Sequence, residues 1–152
     1  IQACRKPTIA RINGVAMGAG AGIICACDLA VMADHARIGT PEVKVGLFPM
    51  TIVPPMMRVL PRRRLMEMFI TGVPLTAEEA LQFNLVNYVT DAAGLDDKVA
   101  ELVAQIAAQS PSDPAGKIRL SRDGGHDLSA ADAVCRNTVT ACGADRRRAR
   151  RL

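Results

Sequence analysis

The fold of this chain is decided by residues 6–33, KPTIARINGVAMGAGAGIICACDLAVMA. Residues 7–12 alternate loosely and favour a strand, which Asn13-Gly14 ends in a turn. A glycine-rich loop is predicted next, followed by a short apolar helix over residues 23–27 and a second buried strand over residues 28–33. This order of strand, glycine loop, helix and strand predicts a protein of the α/β class.

The composition is that of a globular chain, with 49% hydrophobic and 22% charged residues. No apolar run reaches the roughly 20 residues of a membrane-spanning helix. The cysteines form no CxxC pair, so we expect reduced thiols, a cytoplasmic location, and neither a disulfide framework nor a metal site. The first residue is Ile1 and no secretory signal pattern follows, so we expect the chain to begin in mid-sequence.

The net charge of +4 depends on one short basic tail. Without the tail arginines the chain is close to neutral, and only 3% of its residues are aromatic, so no surface for stacking nucleobases is indicated. Binding to nucleic acid is therefore not expected, and any affinity for polyanions would lie in the tail. The tail arginines are Arg146, Arg147, Arg148, Arg150 and Arg151.

The second half is predicted to be helical. A short amphipathic helix follows Pro61 and ends at Gly72, and a capping box of the form Thr-x-x-Glu starts another helix at Thr76 that runs to about Phe83. A further helix is predicted over Ser129–Cys142. One face of a longer helix between them is marked by Leu95, Val99, Leu102, Val103 and Ile106.

The glycine-rich loop does not match the dinucleotide-binding pattern. G-x-G-x-x-G would need glycine where Ile23 or Cys25 stands. Two readings stay open: the glycines allow close packing of helix against strand, or they leave backbone N–H groups free to stabilise an oxyanion.

Several blocks in order resemble the enoyl-CoA hydratase/isomerase (crotonase) family. The first is KPTIARINGVAMGAG at residues 6–20 with CDLA at residues 27–30, and the second is ARIGTPEVKVGLFP at residues 36–49. A third runs from Thr71-Gly72 to Leu85-Val86-Asn87. An ordered series of blocks is more specific than any single glycine motif.

The resemblance implies a partial crotonase-like spiral of ββα units over residues 1–90, then a helical oligomerisation region over residues 91–145 and the basic tail over residues 146–152. It implies homo-oligomers, trimers or hexamers, that act on acyl thioesters of coenzyme A. Coenzyme A is then part of the substrate and no further cofactor is expected. Family members also carry a preceding segment with the first oxyanion N–H and much of the coenzyme A cleft.

The resemblance also implies the site. Ala19 would supply the second oxyanion N–H, and Glu42 would be the catalytic acid/base. The position of the family's other catalytic glutamate is Gly22. The substrate pocket would be lined by Gly18, Gly20, Gly22, Leu47 and Pro49.

One glutamate suffices for the family's isomerase reaction, because a single base can take a proton from Cα and return it further along the acyl chain. Hydration would need another group to activate water. A different kind of function is also open: a truncated, inactive family member would serve as a structural or oligomerisation module. A solvated glutamate at the start of a helical turn is the bland alternative for Glu42.

Overall fold

The structure is a computed structural model that describes residues 1, 4 and 6–108, and the backbone of residues 139–141. The strands are β1 (Ile9–Ile12), β2 (Ala16–Met17), β3 (Leu29–Ala33), β4 (Arg37–Gly39), β5 (Leu75–Thr76), β6 (Tyr88–Thr90) and β7 (Val139–Ala141). The α-helices are α1 (Ala19–Ala26), α2 (Val53–Met57), α3 (Arg62–Thr71), α4 (Ala77–Gln82) and α5 (Leu95–Ala108). Two 3-10 turns, Pro41–Val45 and Met50–Ile52, connect β4 to α2.

The strands form two sheets through which the chain coils. One sheet has the order β6-β3-β1-β7 and is parallel, with Ile9 opposite Leu29 and Val31 opposite Tyr88. The other has the order β2-β4-β5, in which β2 and β4 are parallel and β4 and β5 antiparallel. Each of the units β1-β2-α1 and β3-β4-α2 adds one strand to each sheet and then a helix. The predicted α/β class is confirmed, and these units have the ββα order.

The glycine-rich segment is helical rather than a loop. The helix α1 begins at Ala19, so the prediction of a loop is wrong beyond Gly18. The low helix propensity of Gly20 and Gly22 is overridden by packing, because α1 lies against the turn Met50–Ile52 and against α2. The N–H groups at the start of the helix therefore belong to the glycine-rich segment itself.

The local signals in the middle of the chain are confirmed. The helix α3 ends at Gly72, whose φ is 64°. In α4 the Thr76 side chain accepts from the Glu79 N–H and the Glu79 carboxylate accepts from the Thr76 N–H, which is the predicted capping box. Asn84 follows in the left-handed region at φ 59°.

The C-terminal predictions are confirmed only in part. The helix α5 packs on β1 and β3 and buries Leu95, Val99 and Leu102, whereas Val103 is 50% exposed and does not belong to the buried face. The helix predicted over Ser129–Cys142 is wrong at residues 139–141, which form β7 beside β1. The β-branched Val139 and Thr140 favour a strand at that open edge. The rest of this predicted helix and the basic tail lie outside the described residues.

One core joins the first sheet to the surrounding helices, and its buried residues include Ile12, Met32, Ile38, Met56, Phe69 and Leu95. None of the described helices combines the length and the apolar character that crossing a bilayer requires.

Candidate active site

The turn between β2 and α1 requires glycine at position 18. Gly18 has φ 55° and ψ −117°, a backbone conformation that L side chains rarely adopt. Its N–H donates to the Gly39 carbonyl at 2.9 Å, and its own carbonyl accepts from the Gly22 N–H at 3.2 Å. The start of α1 is thereby pinned to the end of β4.

Open backbone donors follow at the start of this helix. Within the described part of the chain, the N–H groups of Ala19, Gly20 and Ala21 make no hydrogen bond, and no side chain caps the helix. Ala19 is exposed. Free N–H groups at a helix N-terminus carry partial positive charge and bind negative charge. The predicted oxyanion donor, Ala19, therefore has a free N–H group and is accessible.

The carboxylate of Glu42 lies over this helix start. Glu42 is the second residue of the turn Pro41–Val45, which Gly46 closes at φ 74°. A Cβ at position 18 would lie only 2.8 Å from the Oε1 atom of Glu42. Gly18 is thus required both by its dihedral angles and by the close approach of this carboxylate.

The second oxygen of Glu42 is buried without a partner. Its Oε2 atom accepts no hydrogen bond from the residues that the structure describes. A buried polar atom in this state costs free energy, and such groups concentrate where a protein handles a ligand. This favours a functional group over a solvated glutamate at the start of a turn.

Thr40 positions the turn that carries Glu42. Its side chain is fully buried, and its hydroxyl donates to the Met68 carbonyl of α3 at 3.3 Å. Sequence reasoning did not identify this residue. The Thr-Pro-Glu order was visible, but the contact with α3 depends on the fold.

Gly22 lies one helical turn after Gly18, on the same face of α1. A Cβ at position 22 would be 2.5 Å from Cγ2 of Ile52 and 3.0 Å from its Cβ. Gly22 is buried and Ile52 is only 6% exposed. Where a second carboxylate was sought, the structure places an isoleucine side chain.

The remaining predicted pocket residues are less closely connected to Glu42. A Cβ at Gly20 would meet the Ala16 Cβ at an ordinary 3.6 Å, so space does not require glycine there. Leu47 is 63% exposed and Pro49 is buried, both on the segment between Glu42 and Ile52. Phe48 anchors this segment by an edge contact with Phe69, at 5.3 Å between ring centroids.

A cavity of about 200 Å³ beside α3 is lined by Arg64 and its two glutamate partners. Arg64 donates to Glu67 and to Glu79 at 2.6 Å each and lies 4.7 Å from the centroid of the Phe83 ring. The hydrogen bond to Glu67 is the largest cause that raises the pKa of Arg64. Arg64 is thus engaged in ion pairs, and its neighbours Arg62 and Arg63 are exposed, as a solvated basic face requires.

The Cys25 thiol of α1 is unsuited to nucleophilic chemistry. Burial, with a smaller effect of Cys27, raises the pKa of the Cys25 thiol to about 12, so the thiolate is scarce at neutral pH. The described residues contain no group of three His, Cys, Asp or Glu side chains that could hold a metal ion.

The coil of ββα units places the chain among α/β proteins, and its sequence matches one family model. The model, described as Enoyl-CoA hydratase/isomerase, matches residues 1–116. The chain belongs to the enoyl-CoA hydratase/isomerase family, and its fold is crotonase-like, as the resemblance implied.

Named relatives and solved structures agree with this assignment. The human enoyl-CoA hydratase domain-containing protein 3, mitochondrial, is 36% identical over 82% of this chain and 42% of its own length. The (E)-benzylidenesuccinyl-CoA hydratase of Thauera aromatica is 39% identical over 70% of this chain and 42% of its own length. An enoyl-CoA hydratase structure from Mycobacterium smegmatis has a TM-score of 0.79 and 35% identity, with 84% of this chain and 50% of the other covered.

The chain spans about half the length of the relatives it matches. The solved structure of human enoyl-CoA hydratase domain-containing protein 3 has a TM-score of 0.77 and 35% identity, with 84% of this chain and 51% of that chain covered.

Proposed function

We propose that this chain carries the proton-transfer half of an acyl-CoA active site and catalyses isomerisation of a 3-enoyl-CoA to a 2-enoyl-CoA. The Ala19 N–H stabilises the thioester enolate oxygen, and Glu42 is the acid/base. One observation carries the proposal: the Glu42 carboxylate lies over Gly18, the residue that precedes Ala19 and its free N–H.

Both groups suit the charges that develop in such a reaction. The enolate oxygen becomes negative, and a fixed N–H donor at a helix start stabilises it, which is worth about 3 kcal/mol of barrier. The carboxylate removes the proton from Cα and returns it to Cγ while the double bond moves between them. The proposed reaction uses coenzyme A as part of the substrate and calls for no other cofactor.

Hydration is less well supported than isomerisation. Adding water across the double bond needs a group that activates water, and the volume next to Gly22 is filled by Ile52. The Thauera aromatica relative is a hydratase by name. What carries over to this chain is an enoyl-CoA substrate, whereas the single carboxylate favours proton transfer alone.

The assembly and the location are parts of the same proposal. A homo-oligomer, trimer or hexamer, is supported by exposed apolar side chains on the segment after Glu42, where Val45, Leu47 and Met50 are 63–73% exposed. A cytoplasmic location rests on the cysteine pattern, and the human relative is mitochondrial by name. Sedimentation that showed a stable monomer at micromolar concentration would contradict the oligomer.

The second candidate is an inactive structural or oligomerisation module of the same family. Two observations favour it: Ile52 occupies the second carboxylate position, and the chain spans about half the length of its relatives. Both candidates predict a folded chain, but only the first predicts turnover.

The test is turnover of a 3-enoyl-CoA and of crotonyl-CoA by the wild-type chain and by Glu42→Gln. We expect isomerisation that falls by about 10²-fold to 10⁴-fold in Glu42→Gln, the range for losing a general acid/base. Glu101→Gln, an exposed carboxylate change on α5, is the matched control and should retain full activity. Activity that survives Glu42→Gln would overturn the role of Glu42, and a folded chain without turnover would establish the inactive module.

A further inference from the structure

One face of α1 carries two glycines with different neighbours. The Glu42 carboxylate lies over Gly18, and the Ile52 side chain lies over Gly22 one turn later. Residues at this spacing are neighbours on a helix, about 6 Å apart. The Glu42 carboxylate and the apolar, branched side chain of Ile52 therefore lie over adjacent turns of one helix face.

Ile52 excludes any side chain at position 22. A Cβ there would be 2.5 Å from Cγ2 of Ile52, well inside van der Waals contact. Rotation of the Ile52 side chain about χ1 would move Cγ2 but would leave its Cβ at 3.0 Å. Rotation alone therefore leaves a contact tighter than ordinary van der Waals distance, so a side chain at position 22 requires Ile52 to shift.

We propose that Ile52 is a specificity-determining residue. This inference rests on the proposed function of the site. By filling the volume over Gly22, it keeps both a second carboxylate and an attacking water away from the substrate next to Glu42. Isomerisation needs only a proton to move from Cα to Cγ. Hydration consumes a water molecule, which supplies OH to Cβ and H to Cα. Ile52 thereby restricts the site to the first reaction.

The steric part is tested by thermal unfolding of Gly22→Ala, Ile52→Ala and the double variant. Gly22→Ala should lower Tm by about 4 °C or more in the wild-type background, because the new methyl group overlaps Ile52. In the Ile52→Ala background the same change should cost less than half as much. Additive effects would overturn the pairing.

The specificity part is tested by the ratio of 3-hydroxyacyl-CoA to 2-enoyl-CoA formed from a 3-enoyl-CoA. In Gly22→Glu/Ile52→Gly this ratio should rise by about tenfold or more, because a second carboxylate can then activate water. The matched control, Gly22→Gln/Ile52→Gly, has the same volume without the charge and should show a much smaller rise. The single variant Gly22→Glu should lose stability without hydrating.

Two further variants separate specificity from general packing. Ile52→Val keeps the branch at Cβ and should retain the wild-type product ratio. Leu95→Ala creates a cavity in α5 away from the site and should lower Tm without changing the ratio. A ratio that follows Tm across all variants would show that Ile52 has only a structural role.

The inference and the proposed function can fail separately. If the wild-type chain isomerises and the double variant does not hydrate, Ile52 is not a specificity determinant, and the roles of Glu42 and Ala19 stand. If the folded wild-type chain does not isomerise, the proposed function is wrong. Exclusion by Ile52 is then judged on the unfolding data and on hydration by Gly22→Glu/Ile52→Gly. If that variant does not hydrate, exclusion by Ile52 is overturned.

Discussion

Gly18 and Gly22 occupy one face of the same helix and are glycine for different reasons. Gly18 adopts φ 55° and leaves room for the Glu42 carboxylate. Gly22 lies within α1, and its missing side chain leaves room for Ile52. The first glycine thus leaves room for a carboxylate, and the second leaves room for an apolar side chain. A glycine-rich motif in this family cannot be interpreted without knowing what packs over each position.

The largest stability effect that distinguishes the two positions is expected for Gly18→Ala. A Cβ at a backbone conformation that favours glycine costs about 1–3 kcal/mol, and here it also displaces the Glu42 carboxylate. We therefore expect a lower free energy of unfolding together with loss of isomerase turnover. Urea denaturation and a turnover assay on the same preparation measure both quantities.

Gly20→Ala is the control for that change. Its new methyl group meets only ordinary contacts in the same helix, so it should be neutral or stabilising by up to about 1 kcal/mol. Equal destabilisation by Gly18→Ala and Gly20→Ala would mean that Gly18 has no special role.

A smaller loss of stability is expected when Thr40, which connects the Glu42 turn to α3, is changed. Thr40→Val keeps the buried volume but removes the hydrogen bond to the Met68 carbonyl, which should cost about 1 kcal/mol of unfolding free energy. Because Thr40 precedes Pro41 and Glu42, the loss of turnover, expressed as an activation free energy, should exceed the loss of unfolding free energy. Thr51→Val changes an exposed threonine whose side chain makes no hydrogen bond within the described residues, so it should cost less than about 0.5 kcal/mol and leave turnover unchanged. Full turnover in Thr40→Val would contradict a positioning role.

The smallest effect on stability is expected away from α1, in the capping box of α4. The Thr76 N–H, followed by the charge of Arg64, holds the pKa of Glu79 below its usual range. A lowered pKa in the folded state stabilises the protein above the unfolded-state pKa, and this stabilisation is lost as the pH falls through the folded-state value. The side chain is 38% exposed, so the contribution is about 0.5 kcal/mol.

Glu79→Gln tests that contribution by chemical denaturation between pH 7 and pH 3. The variant should be less stable than the wild type at pH 7, and the difference should shrink below about pH 4.5. A difference that stayed constant over the whole range would contradict the ionic contribution.

The helix and turn boundaries that could be predicted from the sequence are those that depend on neighbouring residues. The ends of α3 and of the Glu42 turn follow from Gly72 and Gly46, and the start of α4 follows from Thr76 and Glu79, because each depends on neighbouring residues. The strand β7 could not be predicted in the same way. It depends on pairing with β1, which is far away in the sequence.

The candidate site likewise combines residues that the sequence could predict with a contact that depends on the fold. The resemblance predicted Glu42 and Ala19 as site residues and pointed to glycine in place of glutamate at position 22. It could not show that Ile52 fills that position, because residues 22 and 52 meet only through the packing of α1 on the turn Met50–Ile52.

The most direct test of proton transfer by one carboxylate uses a 3-enoyl-CoA labelled with deuterium at Cα, in ordinary water. A single base that takes the label from Cα can return it to Cγ before it exchanges with solvent. We predict 2-enoyl-CoA with part of the deuterium at Cγ, and loss of this product in Glu42→Gln. A 2-enoyl-CoA without deuterium at Cγ, or 3-hydroxyacyl-CoA as the main product, would contradict transfer by Glu42 alone.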